Sequence, residues 1–348
     1  MQDTVAGGGK LHHEDLEVGK PYVCGRKTVT KEEIIAFARA YDPQPLHLDE
    51  EAAKATIVGG LCASGFHTCA IMMRMICDGL LDRVASLGSP GVDEVRWMVP
   101  VRPGDVLTTH YTVQEKRDLA SRPDVGVARV LVELVNRDGR VAASWITNQF
   151  TRRRHPSPAS SAPAPKRARQ PLVNLWDTGP PALPPAADRF FEEREIGETT
   201  AFGRHTFGQD EIIDFARQFD PQPFHLDEAA AKASLFGALS ASGWHTAATF
   251  IREVVTARMR TNGAARAQGV PVPAVGPSPG FRNLRWPKPV YVGDTVEFRG
   301  RLTEKIDLKS RPERGLLAHE VQGRNQNGEI VFAITSQILV ERREPFRA

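Results

Sequence analysis

Residues 36–68 return 178 positions later as residues 214–246, with 22 identities in 33 positions. A repeat at that spacing is a duplicated domain, because its period is far too long for a solenoid unit. The 348-residue chain must therefore build one fold twice, where length alone would allow two or three domains. Each half, at roughly 150 residues, is long enough to bury a core without disulfide or metal staples.

Composition removes several alternatives. The chain is 41% hydrophobic and 25% charged, an ordinary globular balance. A formal net charge of +3 is too small to indicate a nucleic-acid surface. Cys24, Cys62, Cys69 and Cys77 all lie in the first half without a CxxC pair, which fits free thiols in a reducing cytosol. Met1-Gln2-Asp3-Thr4 has no basic-then-apolar signal pattern, so the expected location is cytoplasmic. The most apolar stretch, 61–81, carries His67, Arg74 and Asp78 and reads as a buried helix, not a membrane span.

Periodicity and turn signals give the layout. A strand over 22–30 leads to a helix opened by Thr30 or Lys31, with Ile34, Ile35, Phe37 and Ala38 on its apolar face. A loop over 42–47, a short helix over 48–55 and the long helix 61–81 follow. Strands are then expected at 92–99, 106–116, 127–135 and 140–150, divided by turn signals. The second half repeats this order, with a central helix over 239–259 and strands at 281–286, 295–305, 316–324 and 329–340. The offset grows to 189 past that helix, where Trp97 matches Trp286, so eleven extra residues fall in 263–280, expected as a loop. The domains are expected at 1–151 and 189–348. The Pro/Ser/Ala/Arg-rich stretch 152–188 reads as a solvated linker, including its basic Lys166-Arg167-Ala168-Arg169, which lacks interleaved aromatics.

The strongest functional lead is what the duplication keeps. Asp42 and His47, five positions apart, recur as Asp220 and His225. Fully extended, five residues would separate the pair by ~16 Å. Pro43 and Pro45 fix φ and favour a turn, which can point both side chains at one spot. An acid and an imidazole at one water supply general acid–base chemistry.

One strand, an apolar helix and four antiparallel strands describe a sheet curled around a helix. That order, with DPQPxHxD, the Ala-rich turn after it and Gly-x-Leu-x-Ala-Ser at the helix start, resembles the MaoC-like hydratases and dehydratases of the hotdog fold. The resemblance covers nearly the whole chain outside the linker and termini. It implies an α+β protein in which two hotdog domains pack as an intrachain pseudo-dimer. It further implies that Asp42/His47 and Asp220/His225 activate water for reversible hydration of a 2-enoyl-CoA to an (R)-3-hydroxyacyl-CoA. The CoA thioester would be substrate, with no cofactor, membrane or nucleic-acid partner. A homodimer or higher homo-oligomer stays open.

Other repeated positions carry weaker expectations. Gly59 and Gly237 precede the central helices and match the family's oxyanion position, though Ala238 replaces Gly60. Ser64 and Ser242 are candidates for substrate binding. His67 and His245 either line the acyl pocket, act in catalysis or are buried, hydrogen-bonded core histidines, the last being the favoured reading. Arg122 and Arg311 either meet CoA phosphates or stabilise turns. Asp49 and Asp227 are expected as helix caps, and Asp105 and Asp294 as turn residues. His12-His13 lacks ligand spacing, so no metal is expected. Phe66 and Trp244 differ at one repeated position, which suggests pockets of different acyl preference. A hotdog thioesterase would need a carboxylate near the central helix start, and 62–77 and 240–252 contain none. A non-catalytic acyl-CoA-binding protein is the remaining alternative.

Overall fold

The computed structural model describes residues 10–119, 121–156, 172–177, 179 and 182–347. The basic patch at 166–169 and the amino-terminal residues 1–4 lie outside the described residues. In the first half run β1 (Pro21–Thr28), β2 (Gly91–Trp97), β3 (Val106–Leu119), β4 (Arg122–Asn136) and β5 (Val141–Arg152). Their counterparts are β6 (Thr199–Thr206), β7 (Gly280–Arg285), β8 (Thr295–Asp307), β9 (Arg314–Arg324) and β10 (Ile330–Glu341). All ten join one antiparallel sheet in the order β1-β3-β4-β5-β2-β7-β10-β9-β8-β6. The two halves are thus palindromic about the β2–β7 seam.

That seam explains two glycines. Gly91 pairs with Arg285 and Gly280 pairs with Arg96. A Cβ on Gly91 would stand 2.1 Å from the Leu284 carbonyl oxygen, and one on Gly280 2.0 Å from that of Val95. Both glycines also have positive φ, 149° and 146°. A strand glycine of this kind marks close backbone approach, here by the other half.

Each sheet half wraps a central helix, α4 (Gly65–Gly79) or α8 (Gly243–Ala267), and one apolar core runs through both halves. The helices α1 (Lys31–Tyr41) and α5 (Gln209–Phe219) lie beside them, each touching the central helix of the opposite half. Phe37 meets Phe219 edge-on at 5.5 Å, and Tyr41 meets Phe215 likewise. Two single-turn helices follow α1 and another two follow α5: α2 (Pro45–Leu48), α3 (Glu50–Lys54), α6 (Pro223–Leu226) and α7 (Glu228–Lys232). Among the described residues no helix is long and apolar enough to cross a membrane.

Four expectations need correction. The single helix expected at 48–55 breaks at Asp49, whose carboxylate accepts the Ala52 amide and so caps a new turn. The central helices begin later than hydropathy suggests. Residues 61–64 and 239–242 run non-helically and are tied down by Ala63 N–H to the Val101 carbonyl and Ala241 N–H to the Val290 carbonyl. Helix α8 then continues to Ala267, so part of the 263–280 insertion is helical. Finally, the linker is not merely solvated where it is described. Leu175 is buried, and Trp176 lies between the guanidinium groups of Arg299 and Arg324, 4.7 and 4.6 Å from its ring centre. Leu183 bridges to Thr200 on β6.

Candidate active site

Pro45 opens α2 directly after the Asp42 turn, so His47 is folded back beside the carboxylate. Asp42 Oδ2 and His47 Nε2 stand 3.5 Å apart, and Asp220 Oδ2 and His225 Nε2 3.7 Å apart. Direct hydrogen bonds would be shorter, and at this spacing one water seated beside the pair can touch both atoms. All four side chains are buried.

The surroundings fix each group. Ser64 Oγ donates to Asp42 Oδ2 at 2.6 Å, and Gln44 Nε2 donates to Oδ1 at 2.8 Å. His47 Nδ1 lies 2.8 Å from the Cys62 carbonyl, which can only accept, so the hydrogen sits on Nδ1 and Nε2 faces the carboxylate. The second site repeats the pattern with Ser242 at 2.6 Å, Gln222 at 2.9 Å and His225 Nδ1 2.8 Å from the Ser240 carbonyl. Burial pushes the His225 imidazole below its ordinary pKa, against the opposing pull of Asp220 and the Ser240 carbonyl.

The opposite half completes each site. Arg258 on α8 donates to Gln44 Oε1 at 2.8 Å, bracing the first dyad. At the second, the Cys77 thiol on α4 donates to Asp220 Oδ1 at 3.5 Å. The first dyad opens into a cavity of about 1210 Å³, and the second into one of about 320 Å³.

The family model for the MaoC like domain matches residues 15–135 and 191–322, one segment in each half. The chain belongs to this family. It is 30% identical over 124 residues to YdeM of Bacillus subtilis (strain 168), an uncharacterised protein, which covers 35% of this chain and 86% of that one. In structure it resembles a putative MaoC domain dehydratase from Chloroflexus aurantiacus, with TM-score 0.76, 18% identity and coverage of 98% and 100%. It also resembles the double-hotdog protein RV0216 from Mycobacterium tuberculosis, with TM-score 0.65, 14% identity and coverage of 96% and 98%. The fold is a double hotdog.

Several site expectations for this MaoC-like chain change in place or role. Gly59 lies in an exposed turn and gives its N–H to the Thr56 carbonyl at 3.0 Å, and Gly237 is likewise exposed. Neither lines either of these two cavities, because residues 61–64 and 239–242 are not helical and carry the helix starts to Gly65 and Gly243. Those two glycines do line the larger and smaller cavity respectively, and their first-turn amides have no intrahelical acceptor. Each also abuts a tryptophan, Trp97 or Trp286, that leaves no room for a Cβ. The signal was in the sequence, since Ser64 and Ser242 are N-caps and the residue after a cap presents a free amide. Ser64 and Ser242 therefore hold the carboxylates and the helix starts. Gln44 and Gln222, overlooked among the prolines, share that task. Arg122 is spent on Asp124 at 2.7 Å in a hairpin away from both cavities. Arg311 does line the larger cavity, as does Arg102, which sequence alone did not single out. Asp227, Asp105 and Asp294 accept backbone amides in their turns as expected.

His67 and His245 are core residues, stacked on Phe37 at 4.6 Å and Phe215 at 4.7 Å. The expected hydrogen bonds are missing at Nδ1 of His67 and at both ring nitrogens of His245, which lack protein partners. Burial pushes both down to about 3. An unfolded histidine takes up its proton near pH 6.5, so stability falls as pH drops below that value, by about 1.4 kcal/mol per pH unit for each. His245→Phe, which removes two unpaired nitrogens, should stabilise the fold by about 1–3 kcal/mol at pH 7. It should also flatten the acid slope by one histidine's share in urea unfolding at pH 7 and pH 5. A destabilised variant with an unchanged slope would mean that these nitrogens have partners after all.

Proposed function

We propose that this MaoC-like protein reversibly adds water to a 2-enoyl-CoA thioester, giving a 3-hydroxyacyl-CoA. The observation that carries this reading is the pair of converging dyads, each beside an unpaired helix-start amide in a cavity. A water held by both Asp42 Oδ2 and His47 Nε2 loses a proton to the pair as its oxygen bonds to the β-carbon. The pair delivers a proton to the α-carbon, so H and OH are added across the double bond with no net change at the dyad. Negative charge reaches the thioester oxygen meanwhile, and the Gly65 amide at the positive end of α4 would receive it. Asp220, His225 and Gly243 repeat these roles.

Family resemblance favours the R product. The four cysteines are buried and unpaired, which suits a reducing, cytoplasmic setting. A thioesterase would attack the carbonyl carbon from a helix carboxylate. Glu253 on α8 is directed at Gly203 on β6 and lines neither cavity.

With crotonyl-CoA, the conjugated-thioester absorbance should fall while no thiol appears. Thiol release in step with the absorbance loss would replace hydration by hydrolysis, and saturable binding without either change would leave a non-catalytic acyl-CoA protein.

A further inference from the structure

We propose that the two dyads divide substrates by size, Asp42/His47 serving a long or bulky acyl chain and Asp220/His225 a short one. This rests on reading both dyads as acyl-CoA sites. Each cavity runs from its dyad into the opposite half, between that half's central helix and its sheet. The cavity entered from Asp42 is nearly four times the larger, about 1210 against about 320 Å³.

Two matched positions contribute to the difference. The second cavity is lined by Trp244, Trp145 and Tyr111. Trp244 stacks on Trp145 at 4.9 Å and meets Trp286 edge-on at 5.7 Å, so the rings brace one another as a plug. At the matching positions the repeat has Phe66, which lines the first cavity, and Ile334, so no second pair of stacked indoles forms; at the third, Gly300, the Phe202 ring takes up the room that Tyr111 fills in the other half.

The central helices add to the contrast. Helix α4 is pressed onto β1, where a Cβ on Gly79 would stand 2.4 Å from the Cys24 carbonyl oxygen. It then ends, and Leu80 and Leu81 fold back as buried residues. Helix α8 has Ala257 in place of Gly79 and Arg258 in place of Leu80, and it runs straight on to Ala267. The interior of the second half is thereby left open, roofed by residues 183–188 of the linker and 275–279 of the insertion.

Saturated acyl-CoAs, which cannot be hydrated, test this by isothermal titration of the full chain. Butyryl-CoA should bind at two per chain and dodecanoyl-CoA at one. Trp145→Ile with Trp244→Phe, which installs the residues of the roomier half, should raise dodecanoyl-CoA to two and leave butyryl-CoA at two. Val254→Trp, which fills the larger cavity, should abolish dodecanoyl-CoA binding and leave one butyryl-CoA. Two dodecanoyl-CoA per unaltered chain, or one that survives Val254→Trp in a folded protein, would overturn the partition. The titration needs no turnover. Binding in these ratios without hydration would therefore remove the lyase reading and keep the partition, whereas hydration of crotonyl-CoA by a chain that takes two dodecanoyl-CoA would do the reverse.

Discussion

Asp42→Asn combined with Asp220→Asn should lower kcat/KM for crotonyl-CoA by about 10³-fold or more, the range expected when a positioned acid–base group is lost. The amide matches the carboxylate in shape, so both buried pockets stay filled and the double hotdog remains folded. It cannot take the proton of the attacking water. It also meets donors from Ser64 and Gln44, or Ser242 and Gln222, which it can satisfy with only one acceptor oxygen. Each single variant should leave roughly half the turnover of crotonyl-CoA, because the acyl group is small enough for both cavities and the two dyads share no hydrogen-bond partner. Full activity in the double variant, with unchanged circular dichroism, would remove these carboxylates from the mechanism.

Gly280→Val should be the most damaging single change to the fold, lowering stability by more than about 3 kcal/mol through backbone strain and steric clash. The new side chain would sit 2.0 Å from the Val95 carbonyl oxygen at a φ of 146°, and neither strand can withdraw without opening the seam. Gly91→Val should act alike, from the other side of the pseudo-two-fold. By contrast Gly139→Val, in an exposed hairpin turn with nothing within 4 Å of its Cβ position, should suffer only the cost of its positive φ. Thermal unfolding of the three variants measures this ranking. Equal losses at Gly280 and Gly139 would show that the halves are not clamped through β2 and β7.

The sequence was most legible where local chemistry and the repeat agreed. Thr30 caps α1 through a reciprocal pair with Glu33, and the spacing Thr30-x-x-Glu33 is by itself the mark of such a cap. The prolines around Asp42 and Asp220 announced a turn, and the turn brings acid and imidazole together. Hydropathy overran the helix starts, because Leu61 and Ala63 are as buried as the helix itself without being helical. That displacement moved the candidate oxyanion amide from Gly59 to Gly65. Bracing of Gln44 by Arg258 joins residues more than two hundred positions apart, and no local pattern encodes such a contact. The unequal cavities were hinted at by Phe66 and Trp244. The matching exchange of Trp145 for Ile334 matters only once Trp145 is seen to stack on Trp244 at the start of a central helix.

Turnover of crotonyl-CoA in water enriched in heavy oxygen, followed by mass spectrometry, tests the central claim most directly. A dyad-held water that adds to the β-carbon places the label in the hydroxyl group of intact 3-hydroxybutyryl-CoA, and the Asp42→Asn/Asp220→Asn protein yields none. Label recovered instead in a free carboxylate, with equivalent CoA released, would contradict hydration at these two sites.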